Sequence, residues 1–169
     1  MSFNIRPMMA SDLHAIEIIQ AEAYAGYFLE CAQVIEQRFT MSPTTAWVAE
    51  HEDIVCAYLV GYWSKLGKVN PLNAVFHHDE NPNCLYLHDL ALLKTAQGYG
   101  VGKKLIQAAT DHALQHAVEA IALLSVQNSK SFWQAFGFSE FLHLSLPQQK
   151  NVETYQDSSE PAFYMVKSL

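Results

Sequence analysis

The chain has 169 residues, about the size of one domain, and half of them are hydrophobic, so we expect residues 1–169 to form one compact domain rather than a disordered segment. A net charge of −7 with only ten Lys and Arg residues argues against nucleic acid as a partner, because binding to phosphates requires a clustered basic surface. The longest apolar runs, such as residues 54–60, are far shorter than the roughly 20 residues that span a bilayer, and no signal peptide follows Met1. We therefore expect a cytoplasmic protein without membrane contact.

Strand and helix patterns alternate along the chain. Runs rich in β-formers predict about seven strands, at residues 3–7, 45–50, 54–63, 84–93, 121–126, 138–144 and 162–167. Apolar residues at helical spacing predict roughly four helices, at residues 13–23, 29–39, 100–117 and 129–136. The stretch with Pro147 and Pro161, between the last two strands, is predicted to be a polar loop, and residues 64–83 a long one. This order indicates a mixed sheet of the α/β or α+β class.

A glycine-rich turn joins the fourth predicted strand to the third predicted helix. Gly98, Gly100 and Gly102 carry no Cβ atoms that would keep backbone N–H groups away from a ligand, and the helix N-terminus adds about half a positive charge. The turn therefore predicts a pyrophosphate site. It is not the dinucleotide pattern G-x-G-x-x-G, because Lys103 stands where the third glycine is required, nor the Walker pattern, because Gln97 replaces its first glycine.

The turn resembles the Q/R-x-x-G-x-G/A signature of the GNAT acetyltransferases, which Gln97, Gly100 and Gly102 match. Residues 126–138 are similar to that family's second CoA-side motif, N-x-x-[AS]-x-x-[FY]-x-x-x-G-F in outline, with Asn128 as its first residue. The resemblance implies a mixed sheet with a splayed central strand pair and acetyl-CoA as cosubstrate. It also implies an N-acetyltransferase, in which a primary amine attacks the acetyl group directly in a ternary complex. The first eighty residues, 1–80, resemble the family in the order of elements alone.

The resemblance also implies which residues contact the cofactor. Leu92 would occupy a bulged strand position whose backbone N–H binds the thioester carbonyl, where a fixed donor needs little reorganisation as negative charge develops. The amides from Gln97 to Lys103 would hold the pyrophosphate. Asn128 matches the residue that contacts the pantetheine arm, and the alternative role of helix N-cap is compatible with that contact. The implied contacts are Leu90, Ala91, Leu92, Gln97, Gly98, Tyr99, Gly100, Val101, Gly102, Lys103, Asn128, Ser131 and Trp133.

Acetylation of an amine requires that the amine lose a proton and that the departing thiolate gain one. His88 and Asp89 stand where diamine-type members carry an acidic residue followed by Asp, so both are candidate catalytic residues. An ordinary histidine, with a pKa near 6.5, suits a base, although a packed histidine and a structural carboxylate are the alternatives. Many members place a Tyr general acid where this chain has Trp133, whose indole is too weak an acid. Tyr99, Tyr155, a water or no specific acid are the remaining options.

The acceptor is expected to bind between the first two helices. Tyr24, Tyr27, Phe28 and Glu30 lie in this segment, where family members shape the acceptor pocket, although part of the aromatic set is equally compatible with the core. Aromatic rings beside a carboxylate, in an acidic protein, favour a small cationic amine as acceptor. The alternative from another class is a catalytically degenerate CoA-binding protein that acts as a sensor or an interaction module. The sequence is compatible with a monomer and with a homodimer.

The sequence predicts no metal site. Cys31, Cys56 and Cys84 are widely separated and odd in number, so they fit neither a disulfide framework nor a paired-Cys zinc site, and we expect three buried apolar side chains. His112 and His116 have i, i+4 spacing, but no third ligand accompanies them in the pattern. A helix face explains this pair.

Overall fold

The computed structural model describes residues 1–24, 26–77, 79–156 and 160–169, with the backbone but not the side chain of Tyr27. The strands are β1 (Asn4–Pro7), β2 (Ala46–His51), β3 (Ile54–Ser64), β4 (Cys84–Leu92), β5 (Ala120–Ser125), β6 (Ser139–Glu140) and β7 (Phe163–Ser168). The helices are α1 (Leu13–Ala23), α2 (Ala32–Met41), α3 (Val101–Gln115), α4 (Lys130–Ala135) and α5 (Leu146–Glu153). The strands form one seven-stranded sheet in the order β1-β2-β3-β4-β5-β7-β6. Because β4 and β5 are parallel and the other pairs antiparallel, the predicted mixed α/β sheet is confirmed.

The two faces of the sheet are buried by different helices. Successive side chains of a strand point to opposite faces, so Leu59 and Leu87 pack with the apolar side of α3. Tyr58 packs on the other face with residues of α1, and Tyr86 packs there beside α5. Burial of each of the two leucines stabilises the fold by roughly 1.5–3 kcal/mol. The helices on both faces hold the central strands in place.

The central parallel pair, β4 and β5, separates partway along its length. Their pairing runs from Cys84 opposite Ala120 to Leu87 opposite Leu123. Beyond that point β4 continues to Leu92 beside β3, and β5 continues to Ser125 beside β7. The expected splay between the central strands is therefore confirmed, and it opens a gap along the far half of β4.

A β-bulge lies at His88. Val60 pairs with Asp89 and Gly61 with Leu87, so His88 is the extra residue of β4. A Cβ on Gly61 would stand 2.5 Å from the carbonyl oxygen of Tyr86, which explains the glycine opposite the bulge. The expectation that Leu92 forms the bulge is wrong, because Leu92 pairs regularly with Ala57.

Two elements differ from the predictions near the C-terminus. Residues 146–153 form α5 where a polar loop was expected, with Ser145 extended at the N-cap and a proline in the first turn. Val152 is the one buried residue of this helix, so the sequence there carries little apolar periodicity. The strand predicted at residues 138–144 is shortened to Ser139–Glu140, although the Phe141 N–H still donates to the Tyr164 carbonyl at 2.9 Å.

The cysteines divide into two environments. Cys56 and Cys84 are buried as predicted, but Cys31 is exposed at the N-cap of α2, so the prediction for Cys31 is wrong.

In the described ranges, each helix is too short or too polar to cross a bilayer.

Candidate functional site

An open cleft with an empty volume of about 1490 Å³ lies in the splay between β4 and β5. The free half of β4 forms one wall, the glycine turn and the start of α3 form the end, and the last residues of β5 and α4 form the other wall. The predicted cofactor contacts that line it are Leu90, Ala91, Leu92, Gln97, Gly98, Gly100, Val101, Gly102, Lys103 and Trp133. The structure thus places the edge of β4 and the glycine turn, which the sequence predicted as separate features, in one cleft.

The edge of β4 offers backbone donors to this cleft. The N–H of Leu93, one residue past β4, donates to the Cys56 carbonyl of β3 at 2.9 Å. Because successive N–H groups of a strand point to opposite sides, the N–H groups of Leu92 and Leu90 are directed away from β3, into the gap. A carbonyl in the cleft can accept from either, so the role implied for Leu92 needs no bulge at that residue.

The glycine turn presents amide groups rather than side chains. Gly98 and Gly100 have φ values of +82° and +73°, which favour glycine, and Gly100 is the N-cap of α3. Apart from the adjacent residues of the chain, no described protein atom lies within 4 Å of the position that a Cβ would take at either residue. The first turn of α3 holds no acidic residue, and Lys103 lines the cleft. Free amides, a helix N-terminus and a lysine make this end of the cleft suited to a phosphate anion.

Three of the predicted cofactor contacts are not among the described residues that line the cleft, although the backbone amide of Tyr99 belongs to the glycine turn. Tyr99 is half exposed and its ring packs 5.8 Å from that of Phe3. Asn128 and Ser131 are exposed and are not among the described residues that line the cleft. Asn128 is not the helix N-cap either, because α4 has Ser129 at that position.

The side of the cleft formed by α4 and its flanking residues includes three residues that were not predicted as cofactor contacts. Phe132, Phe136 and Ser129 line the cleft beside Trp133. The i, i+4 spacing of the two phenylalanines is the sequence signal that points to this face. Trp133 itself is 8% exposed and packs edge-on against Phe138 at 5.5 Å, as a wall residue would.

A second pocket, whose empty volume of about 420 Å³ includes open solvent, adjoins the cleft and is lined by residues of the segment predicted to bind the acceptor. Its lining residues are Tyr24, Phe28, Glu30, Leu72, Tyr86, His88, Asp89, Leu124, Val126 and Tyr155. Tyr24, His88 and Asp89 line the cleft as well, so the two spaces meet at these side chains. The side chain of Tyr27, also predicted for this pocket, lies outside the described part of the chain.

His88 is held by an ion pair. Its Nε2 lies 2.9 Å from Glu30 Oε1 and 2.8 Å from Arg38 Nη1. Burial, together with the Arg38 guanidinium, lowers the pKa of His88 to about 3. Nε2 either accepts from Arg38 or donates to Glu30, and neither arrangement leaves a free lone pair on that atom. The lowered pKa, rather than the engagement of Nε2, makes the neutral ring a weak base in this setting.

The Arg38–Glu30 pair is itself buried, with exposed side-chain fractions of 5% and 6%. Arg38 Nη2 also donates to the Ala74 carbonyl at 2.8 Å, and the guanidinium stacks 4.8 Å from the ring of Phe76. Glu30 is thus already neutralised by a neighbouring cation. A cationic acceptor meets no unpaired charge at Glu30.

Asp89 is held differently, between two tyrosines. The hydroxyl of Tyr24 donates to one carboxylate oxygen and that of Tyr58 to the other. Burial, followed by the Asp89 charge, raises the pKa of each tyrosine well above its ordinary value. Both hydroxyls therefore keep their protons, and the carboxylate remains beside the junction of cleft and pocket.

Of the other hydroxyls considered as acids, Tyr155 lies in the acceptor pocket. Its hydroxyl donates to the Asn70 carbonyl at 3.0 Å, and burial raises its pKa to about 12.

In the described ranges, no three His, Cys, Asp or Glu side chains are grouped as metal ligands. The ring of His112 stacks on Trp63 at 5.5 Å, and that of His116 packs on the same indole.

The comparisons with known proteins identify a family and a fold. The model of the acetyltransferase (GNAT) family matches residues 13–138. The loading GNATL domain of CurA from Lyngbya majuscula superposes with a TM-score of 0.76 at 14% identity, covering 99% of this chain and 98% of that one. The ribosomal-protein-S18-alanine N-acetyltransferase of Escherichia coli gives 0.68 at 14% identity, with coverages of 99% and 94%. Arabidopsis thaliana Naa50, in complex with a bisubstrate analogue, gives 0.72 at 14% identity and covers both chains fully. No curated protein matches the sequence significantly.

Proposed function

Since the chain belongs to the acetyltransferase (GNAT) family, we propose that it is an acetyl-CoA-dependent N-acetyltransferase that acts on a primary amine. The observation that carries the proposal is the single cleft that joins a strand edge with inward N–H groups to a glycine turn at a helix N-terminus. The pyrophosphate would bind the amides of Gly98 to Lys103. The thioester carbonyl would accept from Leu90 or Leu92, whose fixed N–H groups stabilise the oxyanion of the tetrahedral intermediate.

The acceptor pocket supports a small cationic amine. Its wall combines the rings of Tyr24, Phe28, Tyr86 and Tyr155 with the Asp89 carboxylate, a set that suits an ammonium group on an apolar body. Asp89, rather than Glu30, would supply the attraction, because Arg38 already neutralises Glu30.

Asp89 is also better supported than His88 as the proton acceptor. Its carboxylate lines both the cleft and the pocket. The Nε2 of His88 is engaged by the Arg38–Glu30 pair, so His88 would instead fix the shape of the bulge beside the reacting groups.

A screen for thiol release tests the function. Acetyl-CoA is supplied with phenethylamine, tyramine, spermidine, an aminoglycoside, amino-acid amides and short peptides with free N-termini. The peptides are included because fold-similar structures are described with an alanine or a peptide as acceptor. We expect CoA release that requires both protein and one class of amine.

The competing candidate, a CoA-binding protein without turnover, is favoured by Trp133 in the position of the usual acid. It predicts CoA binding by calorimetry with no release of thiol above the amine-free rate for any acceptor. That outcome would contradict the proposed enzyme.

A further inference from the structure

Tyr24 lies where the cleft and the acceptor pocket meet, and its side chain lines both. It follows the last residue of α1 in an extended conformation, which ends the helix there. Its hydroxyl donates to Asp89 and lies 3.0 Å from the carbonyl oxygen of Leu90 on the free edge of β4. This hydroxyl therefore stands beside the strand edge that would hold the acetyl group.

Tyr58 provides an internal comparison. Its hydroxyl donates to the other oxygen of Asp89, and its side chain is 1% exposed. It lines an adjoining cavity between the sheet and α2, together with Ile35 and Phe39, which shares His88 and Asp89 with the cleft and the acceptor pocket. Tyr58 itself is not among the described residues that line the cleft or the acceptor pocket. The two tyrosines thus make the same bond to Asp89 but differ in access to substrates.

We propose that Tyr24 relays a proton from the acceptor amine to Asp89 and returns it to the CoA thiolate. This relay rests on the acetyl transfer proposed above and assigns its proton path. The other groups that face Asp89 at the junction are His88, Glu30 and Arg38, and these three are bonded to one another.

The relay balances as follows. An ammonium acceptor loses one proton to solvent, and its nitrogen then forms a bond to the acetyl carbon. The remaining excess proton of the nitrogen passes to Tyr24 Oη as the proton of Tyr24 passes to Asp89. When the C–S bond breaks, the thiolate takes a proton from Tyr24 Oη, and Asp89 gives its proton back. The products are the amide and the CoA thiol, with Asp89 ionised and Tyr24 protonated.

The last transfer of the relay, to the thiolate, is downhill. Carboxylic acids are stronger acids than thiols, so a proton held on a carboxyl group moves downhill to a thiolate. The raised pKa of Tyr24, caused by burial and then by Asp89, prevents a stable tyrosinate, so the hydroxyl passes protons on without holding a charge. The relay also supplies the acid that Trp133 does not.

Tyr24→Phe and Tyr58→Phe form the test, because each removes one hydroxyl from Asp89. Acetyl transfer to phenethylamine is measured for both variants and the wild type, with the best acceptor of the screen in its place if phenethylamine is not used. We expect Tyr24→Phe to lower kcat by about 100-fold or more with little change in KM. Tyr58→Phe, which removes a hydrogen bond from Asp89 but no group that touches substrate, should lower kcat at least about tenfold less than Tyr24→Phe does. CoA affinity by calorimetry should be similar in all three proteins.

A less basic acceptor of the same size sharpens the test. The β,β-difluoro analogue of phenethylamine gives a more acidic tetrahedral intermediate, so the deficit of Tyr24→Phe should shrink by about tenfold with it. Equal losses of kcat in the two variants, or a Tyr24→Phe effect confined to KM, would overturn the proton relay. Neither result would contradict the proposed acetyl transfer. If the wild type transfers acetyl to no amine, the proposed function fails and the relay fails with it.

Discussion

The replacement Gly100→Ala probes the phosphate end of the cleft. Gly100 has a φ of +73°, and apart from the adjacent residues of the chain no described protein atom lies within 4 Å of a Cβ built on it. The added methyl group would therefore not clash with the protein but would stand beside the amides that a pyrophosphate must approach. If two charge-assisted hydrogen bonds are lost at about 1.5 kcal/mol each, CoA binding weakens by about 3 kcal/mol, which is roughly 100-fold in Kd.

Gly67→Ala is the matched control. Gly67 has a φ of +82°, its nearest Cβ contact would be Phe141 at 3.8 Å, and it does not line the cleft. Left-handed backbone costs an alanine roughly 1–2 kcal/mol, so both variants should lose similar thermal stability. Calorimetric titration with CoA should then separate them, with weakened binding in Gly100→Ala alone. Unchanged affinity in folded Gly100→Ala, or an equal loss in Gly67→Ala, would refute the assignment of the phosphate site.

The remaining predictions concern the acceptor side and the α4 wall. Glu30→Gln leaves the buried Arg38 without its partner, so urea unfolding should show a loss of about 3–5 kcal/mol, and wild-type stability would contradict this pairing. His88 has its pKa lowered to about 3, so the unfolded chain binds its proton first and stability falls as pH drops from about 6.5 towards 3. The free energy of unfolding of His88→Gln should fall less steeply over that pH window. An unchanged slope would mean that another group causes the pH dependence. Trp133→Phe should keep kcat within several-fold, since the indole is a wall and not an acid, whereas a loss beyond about 100-fold would assign it a chemical role.

The sequence predicted the features that depend on residues close together in the chain. The pyrophosphate turn needs glycines, a helix start and a preceding strand within a few residues, so Gln97 to Lys103 carry the whole signal. The sheet and four of its helices were predictable for the same reason, since their apolar periodicity is local. Helix α5 was not, because it buries little apolar surface and offers no such pattern.

The arrangement of the acceptor side depends on distant residues. Arg38 meets His88 across 50 positions, and Tyr24 meets Asp89 across 65. Arg38 follows Glu30 by only eight positions, but no sequence pattern there indicates that the two side chains pair, so the carboxylate was predicted to receive the substrate. The bulge at His88 depends on the register between β3 and β4, which no single segment specifies.

The central claim is that an acetyl group passes from CoA to an amine in the cleft between β4 and β5. The most direct measurement supplies acetyl-CoA labelled with carbon-13 in the acetyl group and follows the label and the free thiol together by mass spectrometry. The account predicts that each CoA thiol released by the wild type is matched by one labelled N-acetyl amine, and that Gly100→Ala loses both products in parallel at low acetyl-CoA concentration. Thiol release without a labelled amide, or no release with any amine despite CoA binding, would contradict it.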